Sequence, residues 1–382
     1  MIDRRLFLSC AGIGAGAMLI APRMALAAVE SDRRFVFIIQ RGAADGLNIV
    51  MPYADPAYAR LRGELAGDMA AATKLDGTFA LHPALAETAR MFAQRQALFV
   101  HAVASPYRDR SHFDGQNVLE TGGTQPYQAK DGWLNRLVGM MPGAGDDAIA
   151  ITSTVPMALR GARQVTSYAP SALPQPSDDL LLRAGRLYAE DPQLHPLWAA
   201  ALEARGLAAG TGARQDPASL GRLTASFLTK PNGPRIAMLE TGGWDTHSGQ
   251  QGRLAAQLRA LDTLLAALRD GLGPAWGKTT VLVATEFGRT AAVNGTGGTD
   301  HGTGSVAWLV GGAVRGGRIV SDWPGLGAGQ LYQDRDLKPT MALDALIAGV
   351  AAESMALDPQ HVARTVFPLA APARPVTGLI AA

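Results

Sequence analysis

Cysteine is almost absent: Cys10 is the only one in 382 residues. No intramolecular disulfide can form, and no cluster of thiolates can hold a metal. Charge is sparse too, at 18% of residues against 47% hydrophobic, a balance that excludes general disorder and supplies a large apolar core. The N-terminal apolar stretch falls short of the ~20 residues that a membrane-spanning helix needs. Neither a G-x-S-x-G nucleophile elbow nor a phosphate-binding P-loop occurs. The run Gly12-Ile13-Gly14-Ala15-Gly16-Ala17 imitates a dinucleotide loop, but it lies in an N-terminal segment of another kind.

That segment carries Arg4-Arg5-Leu6-Phe7-Leu8, a short glycine-broken apolar stretch, and Ala25-Leu26-Ala27. It reads as a twin-arginine-type signal peptide over residues 1–27, with cleavage after Ala27. The expected destination is the periplasm or another exported location, and the expected partner is the twin-arginine export machinery. That route carries folded proteins, which suits a chain that acquires a metal first. Cleavage removes Arg4, Arg5 and Arg23 together with Asp3, taking the formal charge from +2 to 0. A neutral mature chain has no electrostatic bias toward nucleic acid or anionic lipid, and no stable membrane span is expected after cleavage. Any metal must then be held by histidine, carboxylate or hydroxyl groups.

Such groups recur in one kind of place. Arg41 to Asn48 (RGAADGLN) follows the apolar run FVFII; Gly242 to His247 (GGWDTH) follows RIAML; Thr285 to Thr290 (TEFGRT) follows TVLVA; and Gly298 to Gly302 (GTDHG) precedes VAWLVGG. Each apolar run reads as a buried strand, and in an open parallel sheet the carboxyl ends of the strands share one edge where distant loops meet. Asp45, Asp245, His247, Glu286, Asp300 and His301 would therefore converge as a mixed carboxylate and imidazole set, the donor chemistry of a divalent transition metal. Zinc or manganese is expected, as one or two ions. Asp245-x-His247 alone reads equally as a turn aspartate beside a hydrogen-bonded histidine; it is the several loops together that point to a metal.

The unit from Arg235 to Thr285 is expected to be strand, long amphipathic helix (Leu254, Leu258, Leu261, Leu265 and Leu268 on one face) and strand, a βαβ crossover that implies a mostly parallel sheet covered on both faces. ALFV (97–100) and AIAITSTVPMAL (148–159) read as further strands, and PTMALDALIAGVAA as a late helix. Apolar residues at helical spacing from about 177 to 230 mark a helical insertion, read either as a cap over the site or as scaffold. The expectation is one α/β domain over residues 28–382, a doubly wound, mostly parallel sheet with that insertion.

Ser111 stands where a helix begins and reads equally as a helix cap or a nucleophile. Arg41 and Arg289 lie on the same strand-end loops and could hold an oxyanion, or be ordinary ion pairs. His101, at the end of ALFV, is a candidate to stand behind a ligand, whereas His82, His195 and His361 are read as structural.

RGAADGLN, SHFD with DGWLNR, GGWDTH, EFGRT and GGTDHG together resemble the DUF1501 family over nearly the whole chain. That family resembles, in fold and motif order, the alkaline phosphatase superfamily. The resemblance implies an alkaline-phosphatase-like sheet with two divalent metals near a Ser, Thr or formylglycine nucleophile. By this correspondence Asp245, His247 and His301 hold one ion; Asp45, Ser111 and Glu286 hold the other; and Ser111 is the nucleophile. The chain departs from the superfamily in placing one residue rather than three between Asp245 and His247, and in having Glu286-Phe287 for an Asp-His pair. Phe287 cannot ligate, which leaves the second ion weak, absent, or completed by Asp300 or His112. A formylglycine sulfatase is not expected, because Ser105-Pro106-Tyr107-Arg108 lacks the first spacer of the required pattern and the expected mature chain has no cysteine. The function expected is that of an exported metal-dependent hydrolase of phosphate esters or related oxyanion esters, its nucleophile Ser111 or a metal-bound water, with Arg41 or Arg289 offsetting charge. The alternative is a non-catalytic periplasmic metal-binding or structural/assembly protein with the same fold.

Overall fold

The apolar runs form strands because β-branched and aromatic residues suit a pleated surface buried on both sides. The computed structural model describes residues 32–141, 147–170, 178–207, 216–370 and 374–381; the signal expected at 1–27 lies outside them. In chain order the strands are β1 (Arg34–Gln40), β2 (Val50–Met51), β3 (Thr73–Lys74), β4 (Ala80–Leu81), β5 (Ala97–Ala104), β6 (Ala148–Ala150), β7 (Thr166–Ser167), β8 (Ile236–Thr241), β9 (Thr279–Thr285), β10 (Ser305–Val310), β11 (Arg318–Val320) and β12 (Met341–Ala342). The main sheet runs β11-β5-β10-β9-β1-β8-β6-β7, with β12 beside β5, and β2-β4-β3 form a small antiparallel sheet. Every pairing in the main sheet is parallel except those of β10, which opposes both β5 and β9. The α/β class and the mostly parallel sheet are as expected from the sequence.

Alternation along β1 divides the core. Phe35, Phe37 and Ile39 pack under the helices His112–Thr121, Trp133–Gly139, Leu343–Ser354 and Pro359–Val366. Val36 and Ile38 point the other way, onto the helices Ala86–Ala93, Pro217–Leu228 and Gln250–Leu272. The five leucines expected on one face of the long helix are all buried there. That helix joins β8 to β9 with β1 lying between them.

One of these expectations is corrected. The strand read over 148–159 stops at Ala150 and gives way to bends and a 3-10 turn at Met157–Leu159, and Pro156 just before that turn can donate no ladder hydrogen bond. The insertion is three helices, Asp178–Tyr188, Leu194–Leu207 and Pro217–Leu228. The last is scaffold, burying Leu223, Phe227 and Leu228 in the core.

The register fixes the functional edge. Gln40, Thr241 and Thr285 are aligned across β8, β1 and β9, so the loops beginning at Arg41, Gly242 and Glu286 leave the sheet at one level. β10 runs the other way, so the loop before it enters at that same edge, and so does the chain leaving β5 toward His112. Five loops meet there.

Candidate metal centre

Two close backbone approaches press the loops together. Gly298 lies so near the His247 carbonyl that an added Cβ would sit 2.3 Å from its carbon, and at Gly42 (φ +117°) an added Cβ would sit 2.7 Å from the Asp245 nitrogen. Neither position has room for a side chain, and Gly42 uses a backbone region that other residues avoid. The glycines of these motifs thus serve close packing of loop on loop.

Above them His112, Asp245 and His301 present ligand atoms within 4.8 Å of one another, and His247 joins them. His247 Nε2 lies 2.9 Å from His301 Nε2 and 3.0 Å from Asp245 Oδ1. His301 Nε2 is 3.3 Å from that oxygen, and His112 Nε2 is 3.4 Å from Asp245 Oδ2. Donor atoms on a tetrahedral ion with bonds of ~2.0–2.1 Å would stand roughly 3.3 Å apart. The spacing of these atoms is of that size.

The opposite nitrogen of each ring is already engaged. His112 Nδ1 is 2.8 Å from Glu286 Oε1, His247 Nδ1 is 3.1 Å from Asp300 Oδ1, and His301 Nδ1 is 2.9 Å from the Arg110 carbonyl. An Nδ1–H donated to an oxygen leaves Nε2 with its lone pair, the form in which imidazole ligates. His112 Nε2 is buried with no hydrogen-bond partner, an orphan that a cation would satisfy. By donor chemistry and by orientation, the residues fit a divalent metal.

The backing groups differ in kind. Glu286 is fully buried, and its Oε1 also accepts from Gly42 N–H (2.8 Å) and Gln116 Nε2 (3.1 Å). Burial pushes its carboxyl up, but His112 and these donors outweigh that and hold it below the usual range. Arg110 adopts a left-handed backbone (φ 59°), held by its guanidinium on Asp336 at 2.8 and 3.0 Å, and so turns its carbonyl to His301. Phe287 stacks on His112 with centroids 5.1 Å apart, so the residue unable to ligate fixes the plane of one that can. The Asp245 carboxyl is raised by burial but held below its ordinary value by Arg289, His112 and His247. Asp300 is lowered by Asn294 first and by His247 after it.

Of the residues singled out from sequence, Asp245, His247 and His301 come together, with Asp300 behind His247. Glu286 sits behind His112 and does not face the cluster directly. Asp45 is drawn elsewhere: its buried carboxylate pairs with Arg62 and accepts from Gln250 and from Leu47 N–H, capping the helix Gly46–Ile49. A carboxylate so enclosed has a full set of partners without an ion. Ser111 is half-buried at the start of the helix His112–Thr121, and its hydroxyl makes no capping bond. Asp45, Ser111 and Glu286 are therefore not assembled as a second ion-binding set.

Arg289 is buried and donates to Asp245 Oδ1 at 2.9 Å, with Nε and Nη2 free of hydrogen bonds. Arg41 is held by Glu240 and Glu120; these carboxylates overcome the effect of burial and raise its pKa further. His101 lies in the core between Phe79 and Trp323, its Nε2 2.9 Å from the Val50 carbonyl, and backs no ligand. The sequence reading gave His112 only as an alternative to Asp300 for completing a second ion, and missed Arg110, Asp336 and Gln116.

Residues 32–367 match the family described as "Protein of unknown function (DUF1501)". The chain belongs to the DUF1501 family. No match was found among curated proteins. Among solved structures this DUF1501 chain is similar to the zinc-complexed C-terminal periplasmic domain of EcEptC from Escherichia coli (9% identity, 73% of this chain and 72% of that one, TM-score 0.39). It is similar also to the alkaline phosphatase of the Antarctic bacterium TAB5 (10%, 90% and 100%, 0.37) and to the phosphonate monoester hydrolase of Agrobacterium radiobacter (10%, 76% and 70%, 0.34). Among the described residues of the DUF1501 chain, no helix is long and apolar enough to cross a membrane.

Proposed function

We propose that this DUF1501 protein is an exported metal-dependent hydrolase of phosphate esters or related oxyanion esters. The observation that carries the reading is the convergence of three imidazole Nε2 atoms and one carboxylate at a solvent-open strand edge, each imidazole backed by an oxygen on its far nitrogen. His112, Asp245, His247 and His301 would hold the ion; zinc or manganese suits this donor set. When bound, a divalent ion supplies Lewis-acid polarisation of an ester oxygen and lowers the pKa of a nucleophile.

The chain's own residues do the rest. Arg289 fixes the Asp245 carboxylate and places positive charge beneath the opening, where an anionic ester would approach. Glu286 and Phe287 hold His112 by hydrogen bond and by stacking. Ser111, adjacent to His112 and free of a capping bond, is the protein nucleophile in this reading. The signal at the N-terminus and its twin-arginine partner belong to the same proposal, with a periplasmic or other exported location.

A second reading, a non-catalytic exported metal-binding or assembly protein, is favoured by a specific observation. Arg41 and Asp45, which would have managed substrate charge and a second ion, are satisfied within the protein. One experiment separates the readings. Metal content is measured by mass spectrometry on chelator-free protein, beside an Asp245→Ala, His301→Ala double variant, followed by a phosphoester panel with wild type and Ser111→Ala. Bound metal with turnover lost in Ser111→Ala is the expected result. Bound metal without turnover on any ester favours the second reading, and absence of metal after reconstitution with zinc and manganese overturns the hydrolase reading and leaves a structural or assembly role.

A further inference from the structure

One buried side chain touches two of the three segments that carry the candidate ligands. Gln250, the first residue of the long helix Gln250–Leu272, is fully buried. Its Oε1 accepts from Thr246 Oγ1 at 3.0 Å and from Thr299 Oγ1 at 2.6 Å. Thr246 lies between Asp245 and His247, and Thr299 immediately precedes Asp300 and His301; both are buried. On its other side the Gln250 amide nitrogen donates to Asp45, which pairs with Arg62. A neutral amide can serve a carboxylate acceptor and two hydroxyl donors at once, which no apolar or singly functional side chain does.

We infer that Gln250 is the positioning residue of the metal centre: it ties the loop of Asp245 and His247 to the loop of Asp300 and His301 through Thr246 and Thr299, and it rests on the Asp45–Arg62 pair. The inference rests on the metal reading above and adds to it the device that sets the separation of the ligands. It also gives Asp45 a role, as the foundation beneath the centre. Three features make the linkage strong. All its members are buried, where hydrogen bonds are poorly replaced by water. It acts close to three of the ligands, Thr246 lying between Asp245 and His247 and Thr299 two residues before His301. And it anchors both loops to the start of a 23-residue helix packed in the core, which cannot drift as a loop does.

Groups that orient ligands contribute about 10–100-fold to metal affinity. Thr246→Val and Thr299→Val keep shape and remove the hydroxyl, whereas Thr246→Ser and Thr299→Ser keep it. Zinc affinity by competition titration, the visible spectrum of the cobalt-loaded protein, and the melting temperature of the metal-free protein are measured for each. The expected result is a loss of about tenfold or more in zinc affinity and an altered cobalt spectrum for each valine variant, with the serine variants close to wild type. In a Gln250→Met background the Thr→Val changes should add nothing, because their effect passes through the Gln250 oxygen.

Valine variants with wild-type affinity and spectrum overturn the inference, and so do serine variants that lose as much as the valines, since packing and not the hydroxyl would then be the cause. Should Thr299→Val fail to fold, Thr246→Val against Thr246→Ser carries the same comparison. A wild-type chain that binds neither zinc nor cobalt overturns the metal reading itself, and the inference with it.

Discussion

At the residue scale, the same side-chain types do opposite things according to what surrounds them. Asp45 and Asp245 each follow a strand at the same edge, yet Asp45 is enclosed with Arg62 while Asp245 opens onto three imidazoles. Asp45→Ala is therefore expected to leave Arg62 unpaired in the core and lower stability by about 3–5 kcal/mol, as loss of one partner of a buried ion pair does. The milder Asp45→Asn should retain near-stoichiometric metal. Denaturant unfolding and metal analysis check the pair of outcomes, and metal lost outright in Asp45→Asn would make Asp45 a ligand after all. Glu286→Gln is expected to weaken zinc binding by about 10–100-fold while the fold survives, read by competition titration.

His101 gives a pH prediction of its own. Burial pulls its pKa down from 6.5 to about 4, so the native state holds it neutral while the unfolded chain takes up a proton below 6.5. Its contribution is complete above pH 6.5 and is lost as pH falls from 6.5 toward 4, by roughly 3 kcal/mol in all for a shift of that size. Urea unfolding at pH 7.5 and 4.5 should show the drop. The His101→Gln variant should lose the share that His101 contributes.

At the scale of elements, the long helix Gln250–Leu272 is the clearest lever. Leu258 lies at its centre and is fully buried against β-strand residues and its neighbour helix. Leu258→Ala is expected to destabilise the protein by about 2–5 kcal/mol through lost burial and the cavity left behind, measurable by denaturant titration. Such a change far from the loops should leave the metal stoichiometry of the remaining folded protein unaltered. This helix was legible in advance because its leucines recur at helical spacing, and β1, β8, β9 and β10 because their apolar runs are bounded by glycine-rich loops. The segment after Ala150 was not legible, since I-T-S-T looks like a strand until Pro156 and the local bends interrupt it. His112 was likewise hidden: nothing local distinguishes a ligand histidine at a helix start from a capping neighbour, and only the distance to Glu286 and Asp245 reveals it.

At the scale of the whole molecule, an ion held by residues from three separate segments should couple binding to folding. At a free zinc concentration about a hundredfold above Kd, the stabilisation is about 2.7 kcal/mol. Chelation should therefore lower the melting temperature by a few degrees, with zinc restoring it, in a thermal-shift measurement. The Asp245→Ala, His301→Ala protein should melt at one temperature in both conditions.

The sequence by itself determined the α/β class, the strands that bound the site, and the loops on which acidic and histidine residues gather, because periodicity and glycine placement are local properties of the chain. Tertiary structure alone decided which of those residues converge at the candidate metal centre and which are consumed in support. Pairing depends on distances between loops brought together from far apart in sequence, as Gly42 and Glu286, 244 residues apart, are through a hydrogen bond. It decided that Asp45 is foundation, that Glu286 backs His112, and that β10 enters against the direction of its neighbours so that His301 arrives at the same edge as Asp245. No local pattern encodes these choices, since each is set by what packs on the far side of the residue.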